Sequence, residues 1–209
     1  MSDETVSMSL PESQLGVRSL FGSGSWPWLV IATVILITVG ILRCEGRRWW
    51  CACGAPWPWI SDVWSKHCSQ HLFDPYSFTH ISHGLIYCGL FAWLLPRLNL
   101  AWRLCATVMA ASAWEIMENS AYIIERYRNT TMSLGYLGDS VGNSMGDILS
   151  CVLGFVLASQ LGFRRSLALF VSLEVILLIV MRDNLTINIL MLIYPIQALK
   201  MWQTAGHAT

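Results

Sequence analysis

The feature that most constrains this chain is a series of long apolar runs separated by short polar breaks. The runs cover, in chain order, residues 26–42, 77–95, 100–124, 141–161, 166–181 and 185–199. A helix needs about 20 apolar residues to cross a bilayer, and only 12% of the 209 residues are charged, against roughly 25% in a soluble domain. The sequence therefore predicts an all-α polytopic transmembrane bundle with about six crossings, of which the last two are the shortest.

The predicted organisation is one transmembrane domain, residues 26–202, between two tails at 1–25 and 203–209. Arg43-Cys44-Glu45 follows the first apolar run, where a secretory cleavage site needs small residues, so this run is predicted to be a retained anchor helix. The 13 basic and 13 acidic residues cancel, which argues against a nucleic-acid partner. The bilayer is the expected partner, no protein partner is indicated, and the basic residues are too evenly divided to predict the orientation.

A long loop, residues 43–76, separates the first two runs and contains five tryptophans, an arrangement that fits the headgroup layer. Four of its residues have side chains typical of zinc ligands: Cys51, Cys53, Cys68 and His71. The C-x-C spacing differs from the usual C-x-x-C. Disulfides among the cysteines are the alternative on an oxidising face of the membrane, and free thiols on a cytoplasmic face.

Ionisable side chains inside or beside the apolar runs indicate a function or a binding partner, because an unpaired charge in a membrane costs several kcal/mol. They form three sets at helical spacing: His80 and His83, Glu115 and Glu118, and Asp139, Asn143 and Asp147. In a bundle of alternating helices, the ends that carry these sets lie on one side, together with Arg182. The sequence therefore predicts one polar site at one membrane face, beneath the long loop.

Imidazoles and carboxylates are ligands for zinc, manganese or iron, so His80 and His83 are candidate metal ligands, with the four carboxylates as further candidates. No other cofactor is indicated. The predicted catalytic residues are acid, base or headgroup-binding groups: Glu115, Glu118, Asp139, Asp147, Asn143 and Arg182. The structural alternatives are interhelical hydrogen bonds for the acids, helped by close packing at Gly138, Gly142 and Gly146, and snorkelling to the interface for Arg182.

Several motifs carry a family resemblance: Trp49-Trp-Cys-Ala-Cys-Gly54, Ser69-Gln-His-Leu72, Tyr76-Ser-Phe-Thr-His80 with His83-Gly84, Trp114-Glu-Ile-Met-Glu-Asn-Ser120, Ile124-Glu-Arg-Tyr-Arg128, Gly138-Asp-Ser140 with Asn143-Ser144, and Met181-Arg-Asp-Asn-Leu-Thr-Ile-Asn188. Together they resemble the bacterial multi-pass membrane protein family 0314 (UPF0314), from about Trp49 to Trp202. The resemblance implies an integral protein of the bacterial cell (inner) membrane and implies no particular activity. The order of the His, W-E-x-x-E and G-D-S motifs is also similar to that of VanZ-like membrane proteins.

Three functions stay open at this point. The site best fits a membrane-embedded hydrolase or transferase acting on a lipid or lipid-linked substrate. One alternative is a proton- or ion-coupled transporter that uses the Asp139, Asn143, Asp147 stripe and Glu174 as a relay. The other is a structural or assembly protein whose polar network fixes helix packing.

Overall fold

The computed structural model describes residues 24–206, and every regular element within them is a helix. The elements are α1 (Trp26–Cys44), α2 (Ser77–Leu94), α3 (Leu100–Glu118), α4 (Ala121–Thr130), α5 (Val141–Met181), α6 (Leu185–Ile193) and α7 (Gln197–Thr204). The β pairing found in this part of the chain is a lone parallel bridge between Trp59 and Phe73. The all-α prediction is confirmed. The predicted tails lie mostly outside the described residues, although α7 extends to Thr204.

The centre of the fold is built from α2, α3 and α5, and α1 packs on the outer side of α3. Apolar side chains of α3 and α5 meet in the core: Ala101, Leu104, Val108, Ala111, Ile148, Cys151 and Phe155. The Cys105 thiol of α3 also donates to the carbonyl of Pro27, at the start of α1. The polar motifs of these three helices also meet, because His80 of α2 contacts Glu115 of α3 and Asp147 of α5.

Two glycines allow α2 and α5 to pack at backbone contact. A Cβ atom on Gly84 would lie 2.0 Å from the carbonyl oxygen of Cys151, and one on Gly154 would lie 2.1 Å from the carbonyl oxygen of Ile81. Both separations are far below van der Waals contact, so no larger residue fits without moving a helix. This close approach holds His80 of α2 near Asp147 of α5.

The predicted stripe of small residues on α5 has a different role from the expected one. A Cβ on Gly142 would lie 2.8 Å from the Trp50 ring, and one on Gly146 would lie 1.8 Å from the carbonyl oxygen of Leu72. Trp50 and Leu72 belong to the long loop. The stripe therefore seats the loop, and the tight helix contact is made by Gly84 and Gly154 instead.

The long loop also completes the start of α5. The first N–H groups of a helix have no partner within it, and here Ser140 and Val141 donate to the carbonyls of Ser69 and Arg48 at 2.9 and 2.8 Å. The Gly142 N–H donates to the carbonyl of Trp49 at 3.1 Å. These bonds fix the loop over the start of α5.

Two of the predicted runs are each divided into two helices. The run 100–124 is interrupted because α3 ends at Glu118, and Ser120, whose hydroxyl accepts from the N–H of Ile123, caps α4. The run 185–199 is interrupted between α6 and α7 by Pro195, which has no N–H and restricts the residue before it. The fourth and fifth runs, in contrast, are separated only by Gly162, which has φ 72° and ψ 170° within α5.

Among the helices of residues 24–206, α1 alone is long and apolar enough to cross a membrane by its own composition, with a mean hydropathy of 2.1. It lies near the N-terminus, where signal sequences have the same character. The structure therefore supports one apolar helix of this kind, and the six-crossing bundle stays a prediction.

Candidate functional site

The helix ends bring together five of the predicted site residues, which we call the core cluster: His80, Glu115, Glu118, Asp139 and Asp147. His80 lies on α2, the two glutamates lie at the end of α3, and the two aspartates lie just before and within α5. Four of the five are buried, and Glu118 is partly buried. Residues far apart in the sequence thus form one polar centre between three helices.

His80 lies between two carboxylates. Its Nδ1 is 3.5 Å from Oε1 of Glu115, and its Nε2 is 3.8 Å from Oδ2 of Asp147. The other oxygen of Asp147 accepts a hydrogen bond of 2.9 Å from the Ser77 hydroxyl. Asp147 is therefore hydrogen-bonded to α2 through Ser77, while both contacts of the His80 ring are longer than hydrogen bonds.

The Glu115 carboxylate has no partner of normal hydrogen-bond geometry. Glu115 is 0% exposed, and both of its side-chain oxygens are buried without a hydrogen bond. Oε2 of Glu118 is also buried without a hydrogen bond. One ligand atom from each of His80, Glu115 and Glu118 lies within 4.8 Å of the others. An imidazole and two carboxylates at this separation can hold a divalent cation.

Asp139 is held more firmly than the glutamates. Its carboxylate accepts from the Tyr136 hydroxyl at 2.8 Å and from the Asn119 side chain at 2.9 Å, and its N–H donates to Asn119 Oδ1 at 2.7 Å. Burial raises the pKa of Asp139 to about 6, and the bonds from Tyr136 and Asn119 oppose that rise. An Asp with a pKa near neutrality can exchange a proton at physiological pH.

Two other predicted residues lie close by without joining the cluster. His83 is buried, with its ring 5.3 Å from the His80 ring, and it stacks on Tyr87 and contacts Trp114. Asn143 is buried in the first turn of α5, and its side-chain nitrogen has no hydrogen-bond acceptor. His83 therefore has an aromatic environment, and Asn143 has an unused donor.

Arg182 and Glu174 contact other groups. The Arg182 guanidinium donates to the carbonyls of Trp202 and Ala205, at the end of α7. The Glu174 carboxylate accepts from the N–H groups of Leu185 and Thr186, so it caps α6. The structure thus gives each of them a contact at the end of a short helix, apart from the core cluster.

A small cavity of about 40 Å³ opens beside the core cluster. Its lining includes both histidines, Glu118, both aspartates and three tyrosines: Tyr76, Tyr127 and Tyr136. A larger cavity of about 360 Å³ lies under the long loop and shares four lining residues with the small one: Ser69, Tyr76, Ser133 and Tyr136. The core cluster therefore adjoins a space of the size that small ligands occupy.

Sequence reasoning missed several of these neighbours. Asn119 is 1% exposed and bonds to Glu115, Asp139 and Ser144, yet a lone Asn after Glu118 gives no spacing signal. The three tyrosines come from separate segments, so only the folded chain brings them together.

The loop residues also converge, with one change of membership. Cys51, Cys53 and His71 come together with His67, with one ligand atom from each within 4.8 Å of the others. Cys68 points elsewhere, and its thiol donates to the buried carboxylate of Asp74 at 3.7 Å. The H-x-x-x-H spacing of His67 and His71 was the available signal for the fourth member.

Comparison with known proteins gives a consistent set of relatives. Residues 42–205 match a family described as proteins of unknown function, DUF2585. A UPF0314 protein of Sphingopyxis alaskensis is 43% identical over 179 residues, which are 86% of this chain and 95% of that protein. One of Paracoccus denitrificans is 42% identical over 188 residues, 90% of this chain and 97% of that protein. One of Brucella anthropi is 38% identical over 176 residues, 84% and 89% of the two chains.

No solved structure matches the chain significantly. The resemblance found in the sequence motifs is confirmed by these relatives, and both the core cluster and the loop residues lie within the matched segment.

Proposed function

Because this chain belongs to the UPF0314 (DUF2585) family, which is defined by sequence and not by a reaction, we propose its function from the geometry of the core cluster. We propose an integral membrane enzyme of the bacterial cell membrane that uses a divalent cation to hydrolyse or transfer a lipid or lipid-linked substrate. His80, Glu115 and Glu118 hold the cation, and Asp139 serves as the acid or base.

The observation that carries this proposal is the unpartnered carboxylate of Glu115. Burying an ionised carboxylate without a compensating partner is very costly, and both Glu115 oxygens are buried and free of hydrogen bonds. The Ser144 hydroxyl is near this carboxylate but makes no hydrogen bond of normal geometry with it, and Nδ1 of His80 lies 3.5 Å from its Oε1. A cation bound between the two supplies the missing partner.

The distances fit shared ligation. Two ligands at 2.0 to 2.2 Å from a tetrahedral metal lie about 3.4 Å from each other, and Nδ1 of His80 lies 3.5 Å from Oε1 of Glu115. Metal-bound histidines usually donate their second N–H to a carboxylate, and Nε2 of His80 faces Asp147 at 3.8 Å. Asp147 therefore acts as a positioning residue for the His80 ring.

Three protein ligands leave a coordination position for water or substrate, as catalytic zinc sites do. The adjoining cavity of about 40 Å³ has room for about three waters. The bound cation would polarise a substrate oxygen and lower the pKa of a bound water. Asp139, which lines the same cavity, is held by Tyr136 and Asn119 where a proton can pass between its carboxyl group and the reacting group.

The exposed surface supports a membrane setting. Large apolar side chains of α1 and α5 are more than 70% exposed, among them Leu36, Phe163, Ile179 and Val180, while the carboxylates of the core cluster are inside. The helices α2 and α3, with 18 and 19 residues, are each about 27 to 29 Å long, close to the hydrocarbon thickness of a bilayer. Lipid is the solvent that suits this surface.

The two cavities together support the proposed substrate class. The larger one, of about 360 Å³, is lined by Lys66 of the loop as well as by hydroxyl groups that it shares with the small cavity. A phosphate-bearing headgroup fits a space with one cationic wall, and its lipid chain stays in the bilayer. The reacting bond would then lie near the residues that would hold the cation, His80, Glu115 and Glu118.

The test is divalent-cation binding and hydrolysis by the full chain in detergent or lipid. We expect the wild-type protein to bind Zn²⁺ or Mn²⁺ at the core cluster and to release phosphate or alcohol from a lipid phosphate or ester in a cation-dependent reaction. Glu115→Gln removes one ligand with little change of volume, so both signals are lost.

Glu125→Gln is the matched control, because Glu125 is an exposed acid of the neighbouring α4. It retains binding and turnover. Cation binding that survives in Glu115→Gln, or a wild-type protein with no cation bound there, contradicts the proposed function.

A further inference from the structure

The long loop contains a second set of ligand atoms, which we call the loop cluster: Cys51, Cys53, His67 and His71. Sγ of Cys51 lies 3.1 Å from Nδ1 of His67 and 2.9 Å from Sγ of Cys53. Sγ of Cys53 lies 3.6 Å from Nε2 of His71. The four side chains therefore surround one point from two segments of the loop.

The types of ligand select a metal. Two thiolates with two imidazoles are the Cys2His2 set of structural zinc sites, and carboxylate-preferring ions such as Mg²⁺ or Ca²⁺ do not suit it. Ligands around a tetrahedral zinc are separated by about 3.2 to 3.8 Å, given Zn–S near 2.3 Å and Zn–N near 2.0 Å. The Cys51–His67 and Cys53–His71 contacts, at 3.1 and 3.6 Å, lie within about 0.1 Å of that range. The two sulfurs are 2.9 Å apart, well beyond the roughly 2.05 Å of a disulfide, and would separate to about 3.8 Å on a shared zinc.

Hydrogen bonds around the loop cluster hold its members in ligating positions. Nδ1 of His71 donates to the carbonyl of Trp57 at 2.6 Å, which leaves Nε2 unprotonated on the side of the sulfurs, as in most zinc-bound histidines. The Cys53 N–H donates to Sγ of Cys51 at 3.4 Å. The rings of Trp50 and His71 pack edge to face, with their centroids 5.7 Å apart. Both sulfur and nitrogen ligands are thus oriented before a metal binds.

The third loop cysteine shows what a cysteine outside the site looks like. The Cys68 thiol donates to Oδ2 of Asp74 at 3.7 Å, and burial raises its pKa. Cys68 is therefore a protonated hydrogen-bond donor outside the loop cluster, although it directly follows His67, which belongs to that cluster.

We propose that the loop cluster binds one zinc ion as a closed structural site, distinct from the core cluster. The loop between α1 and α2 runs for 32 residues, 45–76, without a helix, and loops of this length need internal support to hold one shape. The zinc joins residues 51–53 to residues 67–71. Ser69 and Gln70, inside the second segment, accept hydrogen bonds from Ser140 at the start of α5, so the zinc fixes the loop over the core cluster.

The experiment is metal analysis and cobalt substitution of the full-length protein in detergent. We expect about one zinc per chain at the loop cluster, and after chelation we expect Co²⁺ to produce a thiolate-to-cobalt absorption band together with the visible bands of tetrahedral cobalt. Cys53→Ser loses the thiolate band in large part and weakens zinc binding by more than 100-fold.

Cys44→Ser is the matched control, because Cys44 is another exposed cysteine, and it keeps both signals. Glu115→Gln also keeps them, which separates this site from the proposed catalytic cation. If a variant does not fold, cobalt uptake by the wild-type protein still tests the proposal, because that measurement needs no substitution. A wild-type protein with no thiolate-to-cobalt band, or one isolated without metal and with a Cys51–Cys53 disulfide, overturns the proposal.

Discussion

The core cluster and the loop cluster contain comparable numbers of ligands and differ in how those ligands are satisfied. In the loop cluster, His71 is held by the Trp57 carbonyl and four side chains close around one point. In the core cluster, Glu115 has no hydrogen bond and a cavity adjoins the ligands. Structural metal sites are closed and catalytic sites keep an open position. By this criterion the loop cluster fits the proposed structural role and the core cluster fits the proposed catalytic role.

The largest effect is expected from removing a ligand of the loop cluster, which tests whether that cluster stabilises the loop. His71→Asn should release residues 51–53 from residues 67–71, with a loss of local stability on the order of 4 kcal/mol, a fraction of what zinc contributes to small domains. Trypsin should then cleave after Lys66, an exposed residue, roughly 1,000-fold faster, since proteolysis follows the open population. Cys44→Ser should leave the rate unchanged. An unchanged rate in His71→Asn would mean that the loop cluster stabilises nothing.

The next largest effect concerns the helix contact that assembles the core cluster. Gly84→Ala places a methyl group 2.0 Å from the carbonyl oxygen of Cys151, so α2 and α5 must separate, and the free energy of unfolding should fall by about 3 kcal/mol. Thermal unfolding in detergent measures this. Gly89→Ala on the same helix meets nothing within 4 Å and should be neutral or stabilising. Equal effects of the two substitutions would contradict the close packing.

A smaller loss is expected at Asn119, which links two residues of the core cluster, Glu115 and Asp139. Its amide donates to the Glu115 carbonyl and to Asp139, and its carbonyl accepts from the Asp139 N–H. Asn119→Ala should lower the free energy of unfolding by about 2 kcal/mol, because buried partners lose their bonds. Asn129→Ala, at an exposed position, is the control, and denaturant titration of both variants gives the difference. A loss at Asn129 as large as that at Asn119 would contradict this role.

The smallest expected effect is a gain in stability, caused by Glu115→Gln, and it distinguishes the core cluster from the loop cluster most clearly. In metal-free protein, Glu115→Gln replaces a buried carboxylate that has no partner, so the free energy of unfolding should rise by about 1 kcal/mol. Replacing a functional residue that lowers stability raises the free energy of unfolding, whereas replacing a structural loop ligand lowers it. Unfolding of the chelated protein measures it, with Glu125→Gln as control. Destabilisation by Glu115→Gln would assign the core cluster a structural role.

Much of the site was accessible from the sequence because its residues follow helical spacing. His80 and Glu115 lie at predicted helix ends on the same side of an alternating bundle, and the structure brings them within 3.5 Å. The break before Ser120 was missed because one capping hydroxyl gives a weak signal within an apolar run. Gly84 was missed as a packing residue because the sequence does not reveal which carbonyl it faces.

The loop was predicted less completely, for a physical reason. Zinc-ligand types were recognised there, but Cys68 was included and His67 left out, because ligand membership in a 32-residue loop depends on the path of the chain and not on a helical period. The pairing of the loop with α5 through Ser69 and Ser140 likewise depends on long-range hydrogen bonds. Apart from the H-x-x-x-H spacing of His67 and His71, local sequence contains no signal for these contacts.

The most direct test of the two-site account is the number of metal ions bound per chain in three proteins, by native mass spectrometry of the detergent complex with elemental analysis. With two independent sites we expect about two ions in the wild type, about one in Glu115→Gln and about one in Cys53→Ser, with the cobalt–thiolate band absent or greatly reduced only in Cys53→Ser. A wild type with no bound ion, or a single substitution that removes both ions from a folded chain, would contradict it.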